Sequence, residues 1–186
     1  RNIVADNLSA GVWFDVNSRD IRVTGNTVTG NTTTGIQLEL SEKAIVADNH
    51  LAGNRLGMNI VNTGDVEIWN NTITESRRAV SFSQDARRQP AAALASSVPW
   101  ILDDVSFRNN VLSFAADSSG CPLLAQDEER KLRGPAVGVS MDNNVYHRPA
   151  AGAPANFACW ADGASGTKGV KDLAEFRAFT GNDKRS

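Results

Sequence analysis

Two carboxylates 24 residues apart, Asp15 and Glu39, are the side chains in this sequence best placed to do chemistry. Asp15 belongs to Gly11-Val-Trp-Phe-Asp-Val16 and Glu39 to Gly35-Ile-Gln-Leu-Glu-Leu40. In each stretch apolar residues alternate with others, so a strand turns Val12, Phe14, Ile36 and Leu38 one way and Trp13, Asp15, Gln37 and Glu39 the other. If 24 residues make one turn of a coil, the two acids stack on an outward sheet face, roughly 5 Å apart. Like charges at neighbouring strand positions are destabilising, so a purely structural coil has no reason to place them there. Such a pair drives one pKa up and leaves its partner ionised, which supplies an acid and a nucleophile. The spacing also fits the roughly 5–5.5 Å between the carboxyl groups of retaining glycosidases. Two other readings stay open. The acids are solvated and bridged by Arg19, Arg22 or Lys43, or they hold Ca²⁺, although calcium wants more oxygens than two side chains supply.

The neighbouring outward positions extend the patch. One row reads Trp13, Gln37, Asn59, Ser81 and the next Asp15, Glu39, Val61, Ser83. An indole and amides on a flat face suit a sugar ring, which has an apolar face and a rim of hydroxyls. Arg77, Arg78, Arg87 and Arg88 read mostly as solvated loop charge, although Arg77 and Arg78 lie just before the strand carrying Ser81 and Ser83 and could bind an acidic sugar. A lyase would want a Lys or Arg on the acidic patch, and the outward rows show none. Asp103-Asp104 falls in a turn, and His50 and His147 are isolated. No metal-ligand cluster, phosphate loop or Ser-His-Asp arrangement is visible.

A repeat must position these residues. Asn2-Ile-Val, Asn26-Thr-Val, Asn49-His-Leu, Asn71-Thr-Ile, Asn110-Val-Leu and Asn144-Val-Tyr align at intervals of 24, 23, 22, 39 and 34 residues. A second polar row, Asn7, Asn31, Asn54 and Ser76, follows the first, and a small-residue row runs Gly11, Gly35, Gly57, Ala79. A unit of 22–24 residues built of short β runs cannot bury its apolar face alone. Stacked units place equivalent residues about 4.8 Å apart, with apolar rows inside and asparagines laddered at the bends. The fold class expected is therefore all-β, a parallel β-helix, right-handed because parallel crossovers are. Coils span residues 1–148, with loop excursions at about 83–100 and 115–136. The charged run Asp127-Glu-Glu-Arg-Lys131 reads as a short solvated helix. Residues 149–186 read as an irregular tail holding a helix over about 172–180, with Asp172 as N-cap and Gly181 as stop.

Bulk properties narrow the classes. A net charge of −2 over 186 residues gives no footprint for nucleic acid or anionic membrane. No run of 18 apolar residues exists to span a bilayer. Cys121 and Cys159 are candidates for one disulfide in an exported protein, with two buried thiols as the alternative. Residue 1 is not Met and falls inside a repeat, so the chain reads as a processed product or part of a longer polypeptide, the remainder of which is a possible partner.

These rows resemble the right-handed parallel β-helix proteins of the pectate-lyase-like superfamily. More narrowly, Gly11-Val-Trp-Phe-Asp15 and Gly35-Ile-Gln-Leu-Glu39-Leu-Ser41 resemble the Trp-x-Asp and Glu-x-Ser segments of β-helix glycoside hydrolases related to β-xylosidases. That resemblance implies Asp15 as nucleophile and Glu39 as acid/base, acting without a cofactor. The ending Asp-Leu-Ala-Glu-Phe-Arg-Ala-Phe-Thr-Gly181 is similar to tails of bacterial exported proteins. Three functions follow as expectations: a secreted retaining glycosidase, a non-catalytic carbohydrate-binding solenoid, and a Ca²⁺-dependent polysaccharide lyase.

Overall fold

The structure is a computed structural model that describes residues 1–87, 97–115, 120–150 and 153–186. Arg88 therefore lies outside the described residues. Each of the first five coils contributes one short strand to each of three sheets. Sheet A holds β1 (Ile3–Ala5), β4 (Thr27–Thr29), β7 (His50–Ala52), β10 (Thr72–Thr74), β13 (Val111–Ser113) and β16 (Val145–His147). Sheet B holds β2 (Val12–Phe14), β5 (Thr34–Glu39), β8 (Leu56–Val61), β11 (Arg78–Gln84), β14 (Leu123–Asp127), β17 (Ala158–Ala161) and β18 (Thr167–Val170). Sheet C holds β3 (Arg19–Thr24), β6 (Glu42–Ala47), β9 (Gly64–Trp69), β12 (Val105–Arg108) and β15 (Val139–Asp142). Every pairing between these strands is parallel except β17 with β18, so the chain is a parallel β-helix.

Register follows the sequence rows. Val12, Ile36, Met58 and Val80 stack, as do Phe14, Leu38, Ile60 and Phe82. Sheet C aligns Val23, Val46, Ile68, Phe107 and Met141. These inward rows form one continuous core, and their members from Ile36 onward are almost fully buried. The small-residue row is required by close approach: a Cβ on Gly57 would lie 2.5 Å from the Ala79 carbonyl oxygen.

The first asparagine row forms a buried ladder. Asn26 donates its backbone N–H and its Nδ2 to Asn49 Oδ1, both at 3.0 Å, and Asn49 does the same to Asn71. Asn71 and Asn110 continue to Asn144. Asn144 Nδ2 then donates to Asp183 Oδ1 at 2.9 Å, so a fully buried carboxylate closes the ladder. Each rung satisfies backbone groups that a tight bend would otherwise leave without partners.

Three expectations are corrected. The excursion at 115–136 contains β14, a full member of sheet B paired with β11. The run Asp127 to Lys131 is a turn rather than a helix, because the buried Asp127 carboxylate accepts the N–H groups of Glu129, Lys131 and Leu132. The tail, expected to be irregular outside its helix, adds β17 and β18 to sheet B. A Cys121–Cys159 disulfide ties β17 to the segment that leads into β14. The helix, α1 (Leu173–Thr180), forms with Asp172 Oδ1 accepting from Glu175 N and with Gly181 left-handed at φ 74°. Its Phe176 is buried against Phe157 and Trp160, an aromatic plug over the end of the core.

Candidate functional site

Sheet B presents the two outward rows in register. Trp13 neighbours Gln37, Gln37 neighbours Asn59, Asn59 neighbours Ser81, and Ser81 neighbours Leu124. The second row aligns Glu39, Val61, Ser83 and Gln126. Exposure falls along the first row: the Trp13 residue is 54 % exposed, Gln37 and Asn59 are half-buried, and Ser81 is buried. Ser83 is buried as well, and its hydroxyl lies 3.4 Å from that of Ser81.

The two acids have different surroundings. Asp15 is exposed, one residue past the end of β2, and its Oδ1 accepts the N–H of Val16 at 2.8 Å. Glu39 ends β5 with both oxygens engaged: Oε2 accepts from Gln37 Nε2 at 2.7 Å, and Oε1 pairs with Arg87 Nη2 at 2.7 Å. The cation that neutralises Glu39 is thus Arg87, not Arg19, Arg22 or Lys43; Arg19 pairs instead with Glu42 at 3.4 Å. This corrects the reading of Arg87 as solvated loop charge.

Arg87 also binds Asp85, with Nη2 at 2.7 Å and Nε at 2.8 Å from Oδ2. Asn62 holds the other oxygen, donating from Nδ2 to Asp85 Oδ1 at 2.6 Å. Burial acts to raise the Asp85 pKa, but hydrogen bonds from Arg87 and Asn62 outweigh it and hold the carboxyl below its ordinary value. The Arg87 guanidinium is raised in turn, chiefly by its hydrogen bond to Asp85 and further by Glu39. Glu39, Arg87 and Asp85 form one edge of a groove of about 450 Å³ over β5, β8, β11 and β14. Gln37, Asn59, Ser81 and Ser83 line its floor, and Arg78, Gln126 and Glu128 contribute to its walls. Cations therefore do reach the patch, contrary to the expectation from the outward rows. Arg78 also lines, with Arg77 and Arg55, a second pocket beside the groove.

Asp85 and Arg87 had no motif to mark them. Their one signal is alternation, since Ser81, Ser83, Asp85 and Arg87 continue the outward parity of β11 past its end. The same parity places Leu124, Gln126 and Glu128 on β14 and the residue after it.

A family model described as Periplasmic copper-binding protein (NosD) matches residues 1–89, a little under half of the chain. No curated protein and no solved structure matches it. The described residues do not fit a copper centre. Among the described residues no group of three or more His, Cys, Asp or Glu converges. Copper favours thiolate, thioether and imidazole donors, but both cysteines are bonded to each other and both methionines are buried in the core. His50 and His147 stand on separate strands of sheet A, with His147 Nδ1 2.9 Å from Ser113 Oγ. Among the described residues no helix is long and apolar enough to cross a membrane.

Proposed function

We propose that this chain is an exported carbohydrate-recognising β-helix protein that binds a saccharide across the outward face of sheet B. The observation that carries this reading is the row Trp13, Gln37, Asn59, where an exposed indole leads in register into a groove floored by amides and hydroxyls. Trp13 stacks on the apolar face of one sugar ring, while Gln37 and Asn59 hydrogen-bond the hydroxyls of the next. Glu39 and Asp85, fixed by Arg87, act as rigid acceptors. The disulfide and the periplasmic description of the matched family support export. Calorimetric titration with a panel of neutral and acidic oligosaccharides tests the reading. Trp13→Ala and Asn59→Ala are expected to weaken binding about tenfold each; a wild-type chain that binds no member of the panel contradicts it.

A second reading, retaining glycoside hydrolysis with Asp15 as nucleophile and Glu39 as acid/base, is favoured by one observation. The pairs Trp13–Gln37 and Phe14–Leu38 lead, at the next position, to these two acids on adjacent coils. Against it, both Glu39 oxygens accept hydrogen bonds from Gln37 and Arg87, an arrangement of an acceptor rather than of a proton donor. Under this reading Asp15→Asn and Glu39→Gln each abolish turnover, and full activity in either variant removes the assignment.

A further inference from the structure

Beside the groove, a pocket of about 420 Å³ is lined by Thr33, Thr34, Arg55, Leu56, Arg77 and Arg78. Three of those side chains are guanidinium groups and none is acidic. Arg55 and Arg77 occupy equivalent corner positions on successive coils: each donates its backbone N–H, at 3.3 Å, to the ladder asparagine one coil back, Asn31 for Arg55 and Asn54 for Arg77. Arg78, half-buried one residue on, donates from Nε to the Cys121 carbonyl oxygen at 3.1 Å. Among the described residues no carboxylate lies within ion-pair distance of Arg55 or Arg78. Burial lowers the Arg78 pKa. A partly desolvated cation in that position gains from an anion that supplies the missing counter-charge.

We infer that this pocket takes the oxyanion of an acidic saccharide, a carboxylate or a sulfate ester, whose ring lies in the adjoining groove. The inference rests on the groove reading above and names its substrate class. The two sites are contiguous, because Leu56 and Arg78 line both. The planar guanidinium of Arg78, fixed through Nε, leaves its terminal nitrogens for paired hydrogen bonds to two anion oxygens. The exposed hydroxyl of Thr33 completes the donor set, since that of Thr34 already donates to Gln37 Oε1 at 3.3 Å.

Calorimetry at low ionic strength with two matched probe pairs tests this. One arm compares oligogalacturonate with its methyl ester; the other compares a sulfated galactan oligosaccharide with its desulfated form. In at least one arm the charged member is expected to bind about tenfold tighter than the uncharged one, and the difference shrinks as salt is added. The arm that shows it identifies the anion as carboxylate or sulfate. Arg55→Glu, at an exposed position that the fold does not need, is expected to abolish the preference while leaving the uncharged probes bound as before. Equal binding of charged and uncharged members in both arms, or a preference that survives Arg55→Glu, overturns the anion pocket. The groove reading then still stands provided Trp13→Ala weakens the uncharged probes. Failure of the wild-type chain to bind any of the four probes overturns both.

Discussion

The corner between sheets C and A and the two corners that flank sheet B obey different rules. At the C–A corner exactly one spacing occurs: Gly25-Asn26, Asp48-Asn49, Asn70-Asn71, Asn109-Asn110 and Asn143-Asn144 each join the strands with two residues. The first of each pair is left-handed, with φ between 54° and 68°, and the second is a ladder rung. Glycine, asparagine and aspartate tolerate that backbone at little cost, which explains the composition of the row. At the A–B corner the second ladder runs from Asn7 through Asn31 to Asn54 and stops at Ser76, whose hydroxyl turns to Thr74 O in its own coil. Beyond that rung the link from β13 to β14 lengthens to span 114–122, and the first excursion leaves the B–C corner after β11. A continuous ladder fixes the path of the chain; where it lapses, the chain can lengthen. Both permissive corners border sheet B, so the groove and the arginine pocket lie on the one sheet that the insertions flank.

Substitution in the two ladders separates these rules most sharply. Asn71→Ala removes the acceptor for Asn49 and the donor to Val46 O, Trp69 O and Asn110 Oδ1, all buried except the bond to Trp69. A loss of about 3 kcal/mol in denaturant unfolding is expected. Asn54→Ala, at the last asparagine of the short ladder, strands fewer partners and is expected to lose about half as much. Reduction of Cys121–Cys159, which pins the lengthened A–B side to the tail, is expected to cost about 2 kcal/mol, read as a lower melting temperature in reductant.

Smaller effects belong to the groove edge. Asp85 has its folded-state pKa lowered, so its ionised form adds stability that is present above roughly pH 4 and drains as pH falls through the lowered value. Arg87→Gln removes the main donor, so wild type and variant are expected to differ by less than about 1 kcal/mol at neutral pH and to converge in acid. Melting curves of the pair between neutral pH and acid check the sign; a gap that widens in acid contradicts it. Trp13→Ala, at a largely exposed position, is expected to leave melting unchanged while weakening saccharide binding.

The coil was legible because stacking forces equivalent positions into the same chemistry. Asn26, Asn49 and Asn71 had to be asparagine, and Gly35 and Gly57 had to lack a side chain, so each row shows itself at a fixed interval. The outward rows were legible for the same reason, since Trp13, Gln37 and Asn59 inherit the register of the apolar residues between them. What could not be read lies where the interval breaks. β14 sits in a stretch whose length hides its alternation, and β17 follows a second lengthened link. Arg87 reaches Glu39 across 48 residues from beyond the end of β11, where alternation gives its side but not its partner. Pairing of Glu39 with Arg87 is a tertiary event, and spacing along the chain carries no trace of it.

The central claim is that amides on this coil divide into buried rungs, which hold the chain, and outward groups, which meet a ligand. Nitrogen-resolved NMR of the side-chain amide and indole signals during saccharide titration tests that division directly. The account predicts shifts in the Trp13 indole and in the Gln37 and Asn59 amides, with the amides of Asn26, Asn49, Asn71 and Asn110 unmoved. Shifts confined to sheet A or sheet C, or an unchanged spectrum across neutral and acidic saccharides, would contradict it.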